Sequence, residues 1–268
     1  MNRTAIILCG GRGKRLGDIG ERVPKTLVRV HGQPILWYIV IRLYMAGFRH
    51  FILPLGYKGD LIQGFVDQSL TQLDARIDAI ETGEDTPIGR RIDRVRHLIE
   101  DEHFLLINGD TLFDFDGGAF LADHVASDLD LTLTACHVVS QFGLLFLDAN
   151  DRMVDFRRDA LVRSFEIVSD HANDAPRRAL VNSGITYMRR SVLDTIDIAK
   201  TGSFEDEVFA DLIRSGRSGY RLINAYWFAI DTAKDLEIAN SGQASDPRAE
   251  GALLLYQKLI RYTATLIG

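Results

Sequence analysis

Only two cysteines occur in 268 residues, so neither a disulfide framework nor a thiolate zinc site can be built from them alone. Both, Cys9 and Cys136, sit inside apolar runs and read as small buried hydrophobes. Proline is scarce as well, six residues, and no repeat, low-complexity stretch or linker interrupts the chain. With 25% charged and 46% apolar residues, that excludes a disordered, collagen-like or coiled-coil protein. No apolar run approaches the ~20 residues of a membrane helix. The N-terminal run, residues 5–9, is short, and its positive charges follow it where a signal peptide has them in front. The chain therefore reads as soluble and cytoplasmic, with no membrane partner. A formal charge of −6, from 31 basic and 37 acidic side chains, argues against a general nucleic-acid binder. None of the seven histidines forms a metal-spaced pair, and His97 and His103 read as solvated residues beside a loop.

What is present is an alternation of strand and helix. Residues 4–9, 51–55, 75–80 and 104–107 are short apolar runs bounded by turn residues, hence strands. Between them, residues 34–45, 60–68 and 89–99 carry apolar side chains at helical spacing. The pattern predicts an α/β fold: a Rossmann-like mixed, mostly parallel sheet with helices on both faces. The second half is richer in strands, with 130–137 and 143–147 expected to pair, then 181–188 and 226–230. Residues 157–180, irregular and dense in arginine, read as a loop, and 204–215 as a helix. Thr232 is a candidate cap for a helix starting near Ala233, and residues 249–267 form an amphipathic tail helix. One domain, 1–245, with an insertion at about 130–190, is the organisation expected. The helix within 246–268 packs on that domain or at an oligomer interface. Trp37 and Tyr38 belong to the core; Tyr226, Trp227 and Phe228 either wall a pocket or pack the sheet.

Chemistry concentrates at the ends of the strands. Gly10, Gly11 and Gly13 let backbone N–H groups approach an anion, and Lys14 and Arg15 add positive charge, which suits a phosphate site or simply a tight turn. Two familiar phosphate motifs fail here. Gly13-Lys14 is followed by Arg15, not Ser or Thr, and Gly11, Gly13 and Gly17 miss the dinucleotide spacing by one residue. Pro24 precedes Lys25 and makes it a defined point charge, unless it is only a surface lysine. Asp110 and Asp231 each close an apolar strand, 121 residues apart. A lone acid there caps a helix; two of them beside a phosphate loop suit Mg²⁺, which takes one or two carboxylates plus phosphate oxygens.

The combination Leu8-x-Gly10-Gly11-x-Gly13-x-Arg15-Leu16, Pro24-Lys25 and Gly32-x-Pro34-Ile35-Leu36 resembles the sugar-phosphate nucleotidylyltransferases. Asn108-Gly109-Asp110, Asn182-Ser183-Gly184 and Ile230-Asp231-Thr232 follow in that family's order, and the resemblance spans residues 3–240. Within the family, residues 35–37, 56–59 and 82–95 are most similar to glucose-1-phosphate cytidylyltransferases, which implies CTP as donor. The resemblance implies in-line attack of a sugar 1-phosphate oxygen on the α-phosphorus, with pyrophosphate leaving and Mg²⁺ as cofactor, in nucleotide-sugar biosynthesis for polysaccharide or a glycosylated metabolite. Arg15 and Lys25 are the implied catalytic residues. Leu8, Gly10, Gly11, Gly13, Arg15, Thr82, Thr86, Gly89 and Asp110 are implied to bind the nucleotide, and Asp110 and Asp231 the metal. Asn182 and Gly184 would face the sugar, with Lys25 bridging both phosphates and the insertion serving as the acceptor-binding part. One segment departs from the family: Arg158-Asp159-Ala160, after Val154 and Phe156, stands where relatives carry Glu-Lys-Pro. Either Arg157, Arg158 or Arg163 supplies the missing charge, since arginine grips phosphate bidentately, or the segment is a solvated basic loop. Lys14 likewise replaces a frequent Thr. The altered segment leaves open a phosphate or phosphonate acceptor that is not a sugar. A non-catalytic nucleotide-binding subunit and a homo-oligomer are the other readings.

Overall fold

The computed structural model describes residues 3–140, 142–167, 177–195 and 204–267. Seven strands form the central sheet: β1 (Arg3–Leu8), β2 (Phe48–Leu55), β3 (Arg76–Glu81), β4 (His103–Asn108), β5 (Leu131–Cys136), β6 (Val181–Arg189) and β7 (Ser218–Ile223). Their order is 3-2-1-4-6-5-7. Strand β6 runs antiparallel to both neighbours, and the other six are mutually parallel. Central parallel strands bury both faces, which is why β1 and β4 read as continuous apolar runs without alternation. Ala5, Ile7, Leu105 and Ile107 enter one core, and Ile6, Leu106 and Met188 the other.

Among the described residues, six helices of eight residues or more accompany the sheet: α1 (Ile35–Met45), α2 (Gly59–Ser69), α3 (Ile88–Val95), α4 (Gly117–Ala126), α5 (Ala233–Ser241) and α6 (Pro247–Ile267). Helix α1 lies in the larger core, with Trp37 and Tyr38 both buried as expected. The tail helix α6 places Ala252, Leu255 and Leu259 in the same core, so its apolar stripe is used within its own chain. Each fully buried Leu or Ile contributes about 1.5–3 kcal/mol. Helix α3 faces the smaller core through Ile92 and Val95. Among the described residues no helix is long and apolar enough to cross a membrane.

Several expectations need correction. Strand β5 pairs with β6 and β7, while residues 144–147 pair with Met153–Arg157, so 130–137 and 143–147 are not partners. Because β5 and β6 belong to the main sheet, the part that stands out from it lies between them. The supposed loop at 157–180 contains three short strands. Leu161–Val162 pairs with Val138–Val139, and Phe165–Ile167 with Arg177–Ala179; residues 168–176 lie outside the described set. Helix α4 and strand β7 gave no sequence signal. The former opens on Gly117-Gly118 and is held by Asp116, whose side chain accepts from Gly118 N and Ala119 N at 2.9 and 3.0 Å. The helix expected at 204–215 begins as a wide π turn, Phe204–Phe209, before Ala210–Arg214.

The topology fixes where a ligand can sit. From β1 the chain adds β2 and β3 on one side, then returns to place β4 on the other. The crevice beyond the carboxyl ends of β1 and β4 is thus the switch point of the sheet.

Candidate active site

The turn after β1 enters that crevice. Gly13 is left-handed, at φ 61°. A Cβ on Gly10 would lie 2.3 Å from Cζ of Arg91, so the absence of a side chain there makes room for a buried guanidinium. Arg91 had not been singled out in the sequence. It lies on an arginine-rich helix, among Arg90 and Arg94, and composition does not say which of them points inward. Its Nη1 donates to Leu55 O at 2.8 Å and Thr82 Oγ1 at 2.7 Å, and its Nη2 to Glu84 O at 2.8 Å and Gly10 O at 3.3 Å. One planar fork therefore ties the β1 turn, the end of β2 and the segment after β3. Burial pulls the Arg91 pKa down from its ordinary value, opposed by the charge of Glu81.

Thr82 is fully buried, and its hydroxyl donates to Leu55 O while accepting from Arg91. It holds the segment in place and does not line the cleft, contrary to its expected contact with a base. Thr86 does line it, with its hydroxyl donating to Thr82 O at 2.6 Å. Gly89 sits buried in the first turn of α3 and lies outside the lining. The cleft measures ≈ 570 Å³ and is walled by Leu8, Gly11, Lys14, Thr86, Asn108 and Asp110, among others. Arg12, also unnoticed in the sequence, reaches across its mouth to Glu84 and Asp85, both at 3.0 Å.

Asp110 and Asp231 are brought together by a pairing too short to read from sequence. Thr111–Phe113 and Trp227–Ala229 form a three-residue antiparallel ladder, and Ile230 N donates to Asp110 O at 2.9 Å. Thr232 then caps α5 in a reciprocal capping box with Asp235, which fixes the strand end carrying Asp231. Lys25, following Pro24 at φ −63°, points its ammonium between the two acids. Nζ donates to Asp110 Oδ2 and to Asp231 Oδ1, each at 2.6 Å, with the lysine side chain only 15% exposed. Arg15 stands 3.5 Å from Asp231 with its side chain 75% exposed, free to swing toward an anion. Among the described residues no group of three or more His, Cys, Asp or Glu could hold a metal unaided.

On the far side of Asp231 lies a second cavity, also ≈ 570 Å³, walled by His137, Val139, Leu161, Arg163, Trp227 and Arg248, among others. Tyr226, Trp227 and Phe228 all line it and also pack on the larger core, so wall and packing roles coincide; Trp227 Nε1 donates to Ser183 O at 3.0 Å. Gly184, at φ 74°, packs so closely that a Cβ would lie 2.4 Å from Asn108 Nδ2. Asn182 Oδ1 accepts from Gly184 N at 3.2 Å, at the point where the pairing of β6 with β5 shifts register. Arg157 and Arg158 line neither cavity. The Arg157 guanidinium is held by Asp155 at 2.6 Å and lies over the Phe146 ring, so the ribbon itself occupies it. Arg163 is the arginine of this segment that reaches the cavity wall. Burial pushes the Cys136 thiol up to about 12 and Cys9 higher still, so neither offers a thiolate. His103, expected in solvent, is instead half-buried against His124, their rings 5.0 Å apart.

Residues 4–245 match the family model described as nucleotidyl transferase, and the chain belongs to that family. It is 29% identical over 262 residues to the probable glucose-1-phosphate cytidylyltransferase of Bacillus subtilis (strain 168), covering 89% of this chain and 97% of that protein. The glucose-1-phosphate cytidylyltransferase of Salmonella typhi is likewise 29% identical, covering 86% of this chain and 92% of its own length. In structure the chain resembles HddC from Yersinia pseudotuberculosis, with a TM-score of 0.65, 23% identity and coverage of 89% and 98%. That neighbour supports the fold, the mixed and mostly parallel sheet with helices on both faces.

Proposed function

We propose that this protein is a sugar-1-phosphate nucleotidylyltransferase that uses CTP. The carrying observation is the Lys25–Asp110–Asp231 contact, which links the walls of two cavities of ≈ 570 Å³: Lys25 and Asp110 line one, Asp231 the other. A nucleoside triphosphate in the first cleft and a sugar 1-phosphate in the second would bring their phosphates together at this contact. A phosphate oxygen of the acceptor attacks the α-phosphorus, the bond from that phosphorus to the β-bridging oxygen breaks, and pyrophosphate departs. No protein nucleophile is needed, because holding the reactants in line and neutralising their charge lowers the barrier.

The residue roles are those the family resemblance implies. Leu8, Gly10 and Gly11 offer backbone to base and ribose, Gly13 and Arg15 face the leaving pyrophosphate, and Lys25 neutralises charge between the α-phosphate and the incoming phosphate. Thr86 walls the base side, with Thr82 and Gly89 shaping it from behind. Trp227 offers a flat apolar face to a sugar ring, Asn182 and Gly184 shape the irregular part of β6 toward the sugar, and Arg163 supplies the cation of the acceptor side. Asp110 and Asp231 fit Mg²⁺: their carboxylates converge on the Lys25 ammonium, and with that ammonium turned to the phosphates they would hold the ion, phosphate oxygens completing the site without further acids. When bound, the ion supplies further neutralisation of phosphate charge. The preference for CTP is supported by residues 82–95 and by the two cytidylyltransferase relatives. Calorimetric titration of CTP, UTP, GTP, ATP and dTTP with Mg²⁺ tests it. CTP is expected to bind at least tenfold tighter than the others, and equal affinity for all five would overturn the base assignment.

A further inference from the structure

One wall of the second cavity comes from outside the family match. Arg248 is the second residue of α6, beyond the matched residues 4–245. It is 8% exposed and uses its guanidinium in two directions. Nε donates to Asp246 Oδ1 at 3.0 Å and Nη2 to Asp246 Oδ2 at 2.7 Å, a local bond at the start of the helix. The same Nη2 donates to Asp159 Oδ1 at 2.8 Å, a contact spanning 89 residues of chain. The guanidinium also lies 6.0 Å over the ring of Phe228, on the cavity floor.

Asp159 is the hinge of the protruding segment. It sits at φ 54°, in the left-handed region that non-glycine residues visit rarely, between the ribbon strand Met153–Arg157 and the pair Leu161–Val162. The long-range partner of its carboxylate is the Arg248 guanidinium. Just beyond the hinge, Leu161 and Arg163 form the cavity wall facing Trp227. The ribbon on the other side has little to anchor it, with Leu145, Leu147, Met153 and Val154 all more than half exposed.

We infer that Arg248 is a positioning residue for the acceptor: by clamping Asp159 it sets where Leu161 and Arg163 stand, and so which acceptors the second cavity admits. Selectivity is thereby placed partly in a terminal helix that the family model does not cover. The inference rests on the second cavity being the acceptor site.

Two disruptive variants, one conservative control and two readouts test it. Arg248→Met removes the clamp, and Asp159→Gly removes the carboxylate while keeping the backbone conformation. Asp159→Asn, which tolerates the same φ and keeps an acceptor oxygen, is the conservative control. With CTP and either α-D-glucose 1-phosphate or α-D-mannose 1-phosphate, both disruptive variants should raise the acceptor KM about 10–100-fold, the scale of a small misplacement. The KM for CTP should stay within twofold, and Asp159→Asn should recover most of the loss. Independently of turnover, amide exchange over residues 138–163 should quicken at least tenfold in Arg248→Met, with β1 and β4 unchanged. Unchanged exchange in that segment, or acceptor and CTP KM values that rise together, would overturn the clamp. A wild-type protein that turns over neither acceptor would count against the proposed reaction, and the exchange result would still decide the clamp.

Discussion

Removing the Lys25 ammonium should stop catalysis without unfolding the protein. Its Nζ is 2.6 Å from one oxygen of each acid, and the three side chains are 15%, 25% and 34% exposed. Two unit charges ~4 Å apart interact by about 4 kcal/mol at the effective dielectric of a partly exposed site. That sets the scale on which Lys25 lowers the energy of an extra negative charge at this point. Loss of one such contact in a transition state typically costs about 10²–10³ in kcat. Folding should suffer far less, because water reaches both carboxylates and Arg15 remains 3.5 Å from Asp231. A loss of about 1 kcal/mol corresponds to a Tm decrease of roughly 2–4 °C in a chain of this size. Lys25→Met is the variant, with pyrophosphate release and thermal unfolding measured on the same preparation. Lys25→Arg should not rescue, since a planar fork cannot replace a compact ammonium between two carboxylates. A kcat within tenfold of wild type would refute the assignment. A large fall in Tm accompanying lost activity would show that Lys25 acts mainly as a structural ion pair.

Other expectations follow from the same geometry. Arg91→Met removes four hydrogen bonds, but Leu55 O keeps its bonds from Thr82 and Gly10 O its bond from Tyr57 N, so Glu84 O is the carbonyl left without its donor; a loss of about 1–3 kcal/mol and CTP binding at least tenfold weaker are expected, read by denaturation and calorimetry. Gly184 and Gly216 share φ 74°, but a Cβ would strike Asn108 only at Gly184. Gly184→Ala should therefore lose activity and more stability than Gly216→Ala, and equal effects would contradict the close packing. His124 is held neutral down to about 4, chiefly by burial and then by the charge of His103, whereas an unfolded histidine protonates near 6.5. The unfolded chain thus takes up the proton first, and stability falls as the pH drops from 6.5 toward 4. That loss is about 2 kcal/mol by pH 5. Urea midpoints at pH 7 and 5 should show it in the wild type and show less of it in His124→Gln.

The parts legible in sequence were those with long local signals. Strands β1 and β4 are apolar runs closed by turn residues, α1 has an unbroken buried stripe, and Thr232 announces its capping box. Helix α4 was hidden by its glycines and β7 by its half-exposed pattern, since both are stabilised by sheet contacts that no local window contains. The pairing of Asp110 with Asp231 could be anticipated from two strand ends, but the ladder that joins them is three residues long. The guanidinium of Arg91 was invisible for a different reason: a side chain buried against carbonyls has the same composition as one in water. The ribbon misled most. Arg157 looked available as a replacement phosphate ligand, yet its neighbour Asp155 satisfies it and Arg163 takes the cavity wall.

The central claim is tested most directly by pyrophosphate release with Mg²⁺, pairing each of CTP, UTP, GTP, ATP and dTTP with a panel of sugar 1-phosphates. Release that requires both substrates, with CTP strongly preferred and abolished in Asp110→Ala, is the predicted result. Absence of release across the panel together with no detectable binding of any nucleotide would contradict the account.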